Sequence, residues 1–396
     1  MLTQRQLFIE CIAQTSEAPL ALEIERAEGI YMYDIYGKRY IDLISGVSVS
    51  NVGHCHPKVI EAVKQQLDKY MHLMVYGEYI QSPQVKYAQL LTEQLPESLN
   101  SVYFVNSGSE AIEGALKLAK RYTGRMEVIA CKNAYHGSTH GALSVMGGEE
   151  FKNSFRPLVP GVSFIEFNRT EDLCQITRNT ACVLIEPVQG EGGIIPADAD
   201  YLKLLRKKCD ETGSLLIFDE IQTGMGRTGT LFAFEQYETV PDILVLAKAM
   251  GGGMPLGAFI SSRIVMQCLT HDPVLGHITT FGGHPVCCTA GMAALQVLIE
   301  EDLVSQVAGK EKLFRELLHS HPLIQQIRSK GLMIAVELKD ADKVSQVMKK
   351  CVEKGVILDI FLFRANSFRI APPLTITEDQ IREASGMILE AMDELA

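Results

Sequence analysis

Short apolar runs alternate with helix-like segments through the middle of the chain. Six such runs lie at residues 102–105, 128–131, 162–167, 182–185, 215–218 and 243–246. Apolar positions recur at helical spacing between several of them, as in residues 111–122 and 201–209. Strands that are apolar along their whole length are typical of a parallel sheet with helices on both faces. The pattern therefore predicts an α/β fold with a mostly parallel sheet.

The two ends of the chain follow a different pattern. Aromatic and β-branched residues on either side of Gly37 predict two strands joined by a turn, and Pro57 opens a helix. Near the other end, residues 285–300 and 303–319 have the spacing of long helices. Shorter strands are expected at 332–338, 356–358 and 368–371.

The last helix has a sequence signature at its start. Thr377 takes the N-cap position and Gln380 lies three residues further on, as in a capping box. Mixed short strands and helices predict a smaller α+β domain. We expect residues 1–50 to join that domain, residues 51–290 to form a large domain, and residues 291–396 to form the small one.

Composition narrows the class of protein. The 396 residues are 47% hydrophobic and 21% charged, with a formal net charge of −11. Such a chain lacks the basic face that non-specific binding to nucleic acid or anionic lipid requires. No apolar run approaches the roughly 20 residues that span a bilayer, and the first residues lack the apolar core of a signal peptide. Ten scattered cysteines without a C-x-x-C pair predict reduced thiols and a cytoplasmic protein.

Ligands of a parallel sheet bind beyond the carboxyl ends of its strands, so the polar residues that follow the apolar runs are the candidates for chemistry. After residues 102–105, Gly108 and Ser109 lie in a turn that opens a helix. Backbone N–H groups at a helix N-terminus favour a phosphate, although a serine there is equally expected as an ordinary N-cap.

Two ionisable residues end neighbouring apolar runs. Asp219 follows residues 215–218, where a carboxylate is costly unless it has a cationic partner; the alternative is an aspartate that caps the next turn. Lys248 follows residues 243–246. A buried lysine has a depressed pKa and becomes a usable nucleophile, whereas a lysine that leaves the sheet for solvent has no such role. Taken together, a phosphate seat, an anion and a lysine at one sheet edge are what pyridoxal 5′-phosphate (PLP) requires.

At these positions the sequence resembles the class III (ω-amino acid) aminotransferases of PLP fold type I, and the resemblance covers nearly the whole chain. The matching segments are GVSVSNVGHCHPKV at 46–59, NSGSEAIEGALKLA at 106–119, YHGST at 135–139, EPVQGEGG at 186–193, FDEIQTGMGRTG at 218–229, LAKAMGGGMPLGA at 246–258, TTFGGHP at 279–285 and RIAPPL at 369–374. The resemblance implies a seven-stranded sheet, PLP as cofactor, a homodimer, and a ping-pong transfer of an amino group to a 2-oxo acid. The donor would be an ω-amino acid or related amine resembling acetylornithine, ornithine or 4-aminobutyrate.

The resemblance also implies roles for individual residues. Lys248 would hold PLP as a Schiff base and move the proton, and Asp219 would pair with the pyridine nitrogen. The remaining cofactor contacts would come from Gln222 to the ring 3-oxygen, from Tyr135 and Ile221 to the two ring faces, from Gly108 and Ser109 to the phosphate, and from Thr280 to the phosphate of the partner subunit. Glu191 and Arg369 match a gating ion pair, in which the arginine binds a substrate carboxylate.

Two positions depart from the family pattern. The ornithine, acetylornithine and 4-aminobutyrate enzymes carry an arginine where this chain has Ser138, and ornithine aminotransferases carry a tyrosine where it has Val47, a candidate substrate contact. Other PLP chemistry on the same scaffold, such as an aminomutase, and a non-catalytic relative stay open as alternatives. The family motif accounts for His54 and His56, so no metal site is expected.

Overall fold

The computed structural model describes residues 2–395, which form an α/β fold built around a seven-stranded sheet. The strands are β1 Ile24–Glu28, β2 Tyr31–Asp34, β3 Arg39–Asp42, β4 Ser101–Val105, β5 Glu127–Cys131, β6 Val162–Ile165, β7 Thr180–Ile185, β8 Val188–Gln189, β9 Ile195–Pro196, β10 Leu215–Asp219, β11 Ile243–Leu246, β12 Gly257–Ser261, β13 Ile324–Lys330, β14 Met333–Leu338, β15 Val356–Ile357, β16 Asp359–Ile360 and β17 Ser367–Ile370. The α-helices span Gln4–Cys11, Pro57–Leu67, Ser82–Thr92, Gly108–Thr123, His140–Ser144, Ala199–Thr212, Arg263–Met266, Pro285–Glu300, Val307–Leu318, Asp342–Lys354 and Glu378–Asp393.

The large sheet has the strand order β4-β12-β11-β10-β7-β5-β6. Every neighbouring pair is parallel except those of β12, which runs antiparallel to β4 and β11. All six predicted apolar runs form strands of this sheet. Every residue of β7, β10 and β11 is buried, because helices cover both faces. The prediction of a mostly parallel, seven-stranded α/β fold is confirmed.

The smaller sheets combine both ends of the chain. An antiparallel sheet of order β13-β14-β17-β16 follows the long helices, and a second sheet has the order β1-β2-β3-β15. In that second sheet β15 pairs parallel with β3, with Val356 opposite Ile41. This pairing supports an N-terminal segment that joins the small domain. The domain boundaries themselves stay a prediction, and the chain passes position 290 within the continuous helix Pro285–Glu300.

Several helix boundaries follow from local chemistry. The Thr377 hydroxyl accepts from Gln380 N at 3.3 Å, while Thr377 N donates to the Gln380 side chain at 2.9 Å, so the predicted capping box is present. Pro57 is the first residue of its helix, and Gly37 makes the turn between β2 and β3 with φ +81°. The helix expected from residue 303 begins at Val307 instead, after a run of turns. Within residues 2–395 no helix has the length and apolar character to cross a bilayer.

Candidate active site

A cavity of about 380 Å³ opens at the carboxyl edge of the large sheet, where β4, β10 and β11 end. Side chains from the loops after these strands line it together with the segment after β5. Seven of the predicted site residues lie on its wall: Gly108, Ser109, Tyr135, Asp219, Ile221, Gln222 and Lys248. Residues separated by up to 140 positions in the sequence therefore meet in one pocket, as expected for the loops of a parallel sheet.

One end of the cavity is the N-terminus of helix Gly108–Thr123. The Ser107 hydroxyl caps this helix by accepting from Glu110 N at 3.2 Å, so a serine does act as N-cap here. The N–H groups of Gly108 and Ser109, in the first turn, have no acceptor within the helix and face the cavity wall, where they suit an anion. A side chain on Gly108 would bring its Cβ within 2.8 Å of Ile221 Cδ1, which explains the glycine.

Asp219 lies buried at the end of β10 with both carboxylate oxygens engaged. Its Oδ1 accepts from Ile221 N at 3.0 Å, which is the turn-capping role. Its Oδ2 lies 2.7 Å from His136 Nδ1, on a fully buried imidazole that also lines the cavity. The aspartate thus caps a turn and also has the partner that a buried carboxylate requires. His136 lies in the YHGST segment that carries the family resemblance, but nothing in the sequence indicates this contact.

A second buried carboxylate, Glu186, lies on the same wall and was missed as a functional residue. It belongs to the EPVQGEGG segment that carries the family resemblance. Its oxygens accept from Tyr135 N at 3.1 Å and from Gly190 N at 2.9 Å. Burial raises its pKa to about 7, and the nearby Asp219 adds to that effect while His136 opposes it. Through these hydrogen bonds, Glu186 fixes the position of the Tyr135 backbone.

Lys248 begins a short 3₁₀ segment, Lys248–Gly251, directly after β11, with a left-handed backbone at φ +53°. Burial lowers the pKa of its ammonium group from 10.5 to about 8; Glu191 and Asp219 oppose this shift and Arg369 adds to it. A larger fraction of the free amine is therefore present near neutral pH than in an exposed lysine. The amine is the form that can attack a carbonyl group.

Arg369 and Glu191 form a buried ion pair beside the cavity. Arg369 Nη2 donates to Glu191 Oε1 at 2.6 Å, and the Gln222 amide donates to the same oxygen at 3.1 Å. Burial alone would raise the pKa of Glu191, but the guanidinium outweighs burial and holds this pKa below its usual value. The Phe361 ring packs 4.6 Å from the guanidinium carbon. Gln222 links this pair to the cavity wall.

Two predicted residues lie away from the cavity of their own chain. Thr280 is exposed on the surface. Val47 is half-buried in a left-handed turn, Ser45–Ser48, whose successive φ values are 48°, 64°, 62° and 62°. Left-handed backbone costs roughly 1–2 kcal/mol for each residue other than glycine, and Val47 is β-branched. The next residue after the turn, Val49, does line the cavity.

The histidines near residue 54 have protein partners. His54 lies 2.8 Å from Asp42 and His56 lies 3.5 Å from Glu301. No group of three or more His, Cys, Asp or Glu side chains within residues 2–395 is arranged to hold a metal ion. A metal-free enzyme stays a prediction.

The residues of the cavity fit PLP. The helix N-terminus suits its phosphate, the buried Asp219 suits its ring nitrogen, and Lys248 reaches the same space. Gln222 Oε1 is buried without a partner in the described part of the chain. Glycine at position 108 lets the helix N-terminus approach Ile221 closely in the wall of the cavity. A seven-stranded α/β sheet with these groups at its carboxyl edge defines a PLP-dependent enzyme of fold type I.

Comparison with known proteins gives the family. Residues 12–392 match the sequence profile described as Aminotransferase class-III. The chain is 40% identical to the acetylornithine aminotransferase of Methanocaldococcus jannaschii over 390 residues, which cover 95% of this chain and 94% of that protein. The ornithine aminotransferase of Toxoplasma gondii, a structure with partly occupied PLP in its active site, matches with a TM-score of 0.90 at 32% identity, over 99% of this chain and 94% of that one. The chain belongs to the class III aminotransferases, and is a PLP-dependent enzyme that uses an amine donor and a 2-oxo acid acceptor.

One further relative shows how widely the donors vary. The [LysW]-aminoadipate semialdehyde/glutamate semialdehyde transaminase of Sulfolobus acidocaldarius is 38% identical over 379 residues, covering 94% of this chain and 95% of that protein. Relatives of nearly equal similarity therefore carry the names of different substrates.

Proposed function

We propose that this enzyme transfers an amino group from an ω-amino acid or related amine, resembling acetylornithine, ornithine or 4-aminobutyrate, to a 2-oxo acid in two half-reactions of a ping-pong cycle. The observation that carries the proposal is the presence of Lys248, Asp219 and the Arg369–Glu191 pair around one sheet edge. The names of the acetylornithine and ornithine enzymes among its relatives support the donor class.

The protein groups have distinct tasks in this proposal. PLP, when bound, holds the amino group between the half-reactions and accepts the electron pair released at the substrate carbon. Lys248 Nζ would hold the cofactor and would take up and return the proton of the donor carbon, as its lowered pKa allows. Asp219 would keep the ring nitrogen protonated, and His136 fixes the orientation of that carboxylate.

The remaining cofactor contacts are proposed from the cavity wall. Gly108 and Ser109 would donate their N–H groups to the phosphate. Tyr135 and Ile221 would contact the ring, one on each face, and Gln222 would hydrogen-bond its 3-oxygen. These five residues line the cavity.

Arg369 has the properties of a carboxylate receptor. Its Nε and Nη1 are buried without a hydrogen-bond partner in residues 2–395, although Asp359 Oδ2 lies 3.8 Å from Nη1, and Nη2 donates to Glu191. Movement of Glu191 would release a planar guanidinium that binds the α-carboxylate of the acceptor through two hydrogen bonds. With Glu191 in place, a donor amine that lacks an α-carboxylate beside the reacting carbon meets no uncompensated charge.

A homodimer is part of the proposal. Thr280 lies exposed, in a segment with the exposed side chains of Ile278 and Phe281. Large apolar side chains on a surface are typical of an interface with another protein. A second copy of the chain, packed on this segment, would cover them and receive the Thr280 hydroxyl at its phosphate. We also propose a cytoplasmic location, which the ten free thiols, six of them buried, support.

Two experiments test the function. A screen of amine donors against 2-oxo acid acceptors should yield at least one pair with turnover that Lys248→Ala abolishes. Borohydride reduction and peptide mapping should then find the phosphopyridoxyl group on Lys248. An amino group that moves within one molecule would instead show an aminomutase. A label on another lysine, or no turnover over a broad panel, would contradict the proposal.

A further inference from the structure

The left-handed turn Ser45–Ser48 lies next to the active site, and three of its four residues are not glycine. Backbone of this kind persists only where the surrounding structure imposes it, and it is found mostly at functional sites. The turn leads directly into Val49, which lines the cofactor cavity. Its amides make short-range bonds, with Ser48 N donating to Ile44 O at 3.0 Å and Val49 N to Ser45 O at 2.8 Å.

Arg227, which lies in the loop after strand β10 of the large sheet, donates hydrogen bonds to this turn. Its Nη2 donates to Ser45 Oγ at 3.3 Å and also to Asn51 Oδ1 on the far side of the turn. The Asn51 amide in turn donates to Met225 O at 2.8 Å, two residues before Arg227. Arg227 is fully buried, and no carboxylate in the described chain lies within ion-pair distance of it. A buried cation with only neutral acceptors is costly, so its retention calls for a reason.

The same guanidinium reaches the segment that follows Arg369. Its Nη1 donates to Pro372 O and to Leu332 O, the latter at 3.1 Å. Ser45 Oγ donates to Ala371 O at 2.7 Å, so the turn and this segment are also joined directly. One side chain therefore connects the left-handed turn, the segment after Arg369, and the loop that begins at Asp219.

We propose that Arg227 is a positioning residue for acceptor binding: it imposes the left-handed conformation of Ser45–Ser48 and fixes Arg369 relative to the loop that carries Gln222. The inference rests on the proposed role of Arg369 as carboxylate receptor. A planar guanidinium can donate hydrogen bonds to acceptors on both of its sides at the same time. A lysine ammonium group is a single point of charge and cannot bridge the same two sets of acceptors. Without Arg227 the turn relaxes from the left-handed region, and Val49 and Arg369 lose their fixed spacing.

The first test compares Arg227→Lys with the native enzyme. We expect KM for the 2-oxo acid to rise roughly tenfold or more while kcat changes less than about threefold. The dissociation constant of PLP, measured by its absorbance, should change less than about threefold, because Arg227 donates no hydrogen bond to a cavity-lining residue and acts on Val49 only through the turn. Ser45→Ala is a second variant that keeps the buried arginine in place: it removes the hydrogen bond from Arg227 to the turn together with the one from Ser45 Oγ to Ala371 O. Its KM should rise about threefold to tenfold.

The second test removes the strain of the left-handed backbone and leaves the contacts of residue 227 as they are. Ser48 has φ +62° and a buried hydroxyl without a partner in the described chain, so Ser48→Gly accepts the left-handed turn without cost. In the Arg227→Lys background, Ser48→Gly should bring KM back to within about threefold of the native value. An equal KM effect in the presence and absence of Ser48→Gly would overturn the inference.

Hydrogen exchange separates this inference from the proposed activity. The amides of Ser48, Val49 and Ser50 should exchange at least about tenfold faster in Arg227→Lys, and Ser48→Gly should slow them again. This measurement needs no substrate. A native enzyme without transaminase activity would refute the proposed function. Unchanged exchange at residues 48–50 in Arg227→Lys would instead refute the proposal that Arg227 imposes the conformation of the turn.

Discussion

His136 Nδ1 and Asp219 Oδ2 lie 2.7 Å apart, on residues separated by 83 positions in the sequence. His136 Nε2 is buried without a partner among residues 2–395. The contact with Asp219 is therefore the hydrogen bond that the imidazole makes within the described chain. It restricts the rotation of the Asp219 side chain about its bonds and so fixes the carboxylate at the cavity wall.

His136→Phe should reduce kcat/KM about 10–100-fold, the range found when a hydrogen-bond partner behind a metal ligand is removed. PLP should also bind more weakly, because a less constrained carboxylate holds the protonated ring nitrogen less firmly. His140→Phe is the matched control, since His140 is exposed four residues further along. Equal effects of the two substitutions would show that the contact with Asp219 does not matter.

The elements that the sequence predicted well are those with one dominant physical signal. Fully buried strands such as β7 and β10 need an unbroken apolar run, and the short length of these runs distinguishes them from a buried helix such as Pro285–Glu300. β12 was not identified as a strand because it follows a glycine run. β13 was missed because most of its side chains are exposed or half-buried and polar.

The sequence indicates which residues belong to the candidate active site, but not which of them are in contact. Lys248 and Asp219 are marked by their place after apolar runs, and the roles of Glu191 and Arg369 came from motif resemblance. The partnership of His136 with Asp219 depends on packing between distant loops, for which local pattern gives no signal. The left-handed turn could not be predicted from the sequence either, because Ser45, Val47 and Ser48 have no preference for positive φ.

In the PLP-free protein, the contribution of Lys248 to the free energy of unfolding should grow as pH rises from 7 to 9.5. Burial lowers the pKa of Lys248 to about 8 in the native state, against 10.5 in the unfolded chain. At this residue the unfolded chain holds more protons in that range, so its contribution increases with pH, whereas buried thiols such as Cys131 and Cys182, whose pKa burial raises, act in the opposite direction. The gain from this residue is about 2 kcal/mol, and it disappears below the native pKa.

Lys248→Met provides the control for that experiment. Chemical denaturation at several pH values should show the stability of the native protein rising relative to that of the methionine variant by about 2 kcal/mol between pH 7 and 9.5. A native protein whose stability changes with pH in parallel with the variant would show that the lysine is not perturbed by burial.

Thr280→Ala should weaken PLP binding about 10–100-fold, as expected for the loss of one hydrogen bond to a charged group. Thr280 lies exposed and outside the cavity of its own chain, so any such effect has to come from the site of a partner subunit. Thr270→Ala is the control, since that exposed hydroxyl donates to the nearby Gln267 O. Light scattering should find a dimer; an active, PLP-loaded monomer would rule out the shared site.

Arg369→Ala should impair the half-reaction with a 2-oxo acid far more than the reaction with an amine that has no carboxylate. Truncating one partner of a buried ion pair typically costs about 3–5 kcal/mol, here as lost acceptor binding and a Glu191 without its cation. Arg369→Lys should recover little, because the ammonium group cannot bind a carboxylate through a planar fork. Single-turnover rates of the two half-reactions measure the difference, and equal losses in both would remove Arg369 from the acceptor site.

Ser138 should leave the enzyme with a weak preference for 2-oxoglutarate over pyruvate. The Ser138 hydroxyl lies 3.2 Å from Tyr135 OH and carries no charge, so it does not replace the arginine that related enzymes have at this position. The ratio of kcat/KM for the two acceptors, with one fixed donor, measures the preference. A ratio above about a thousandfold, near 4 kcal/mol of differential transition-state binding, would mean that another cation binds the second carboxylate. Ser138→Arg tests the converse. A guanidinium at this position, next to the cavity-lining Tyr135, should raise the preference for 2-oxoglutarate at least about tenfold, because it supplies the positive charge that Ser138 lacks.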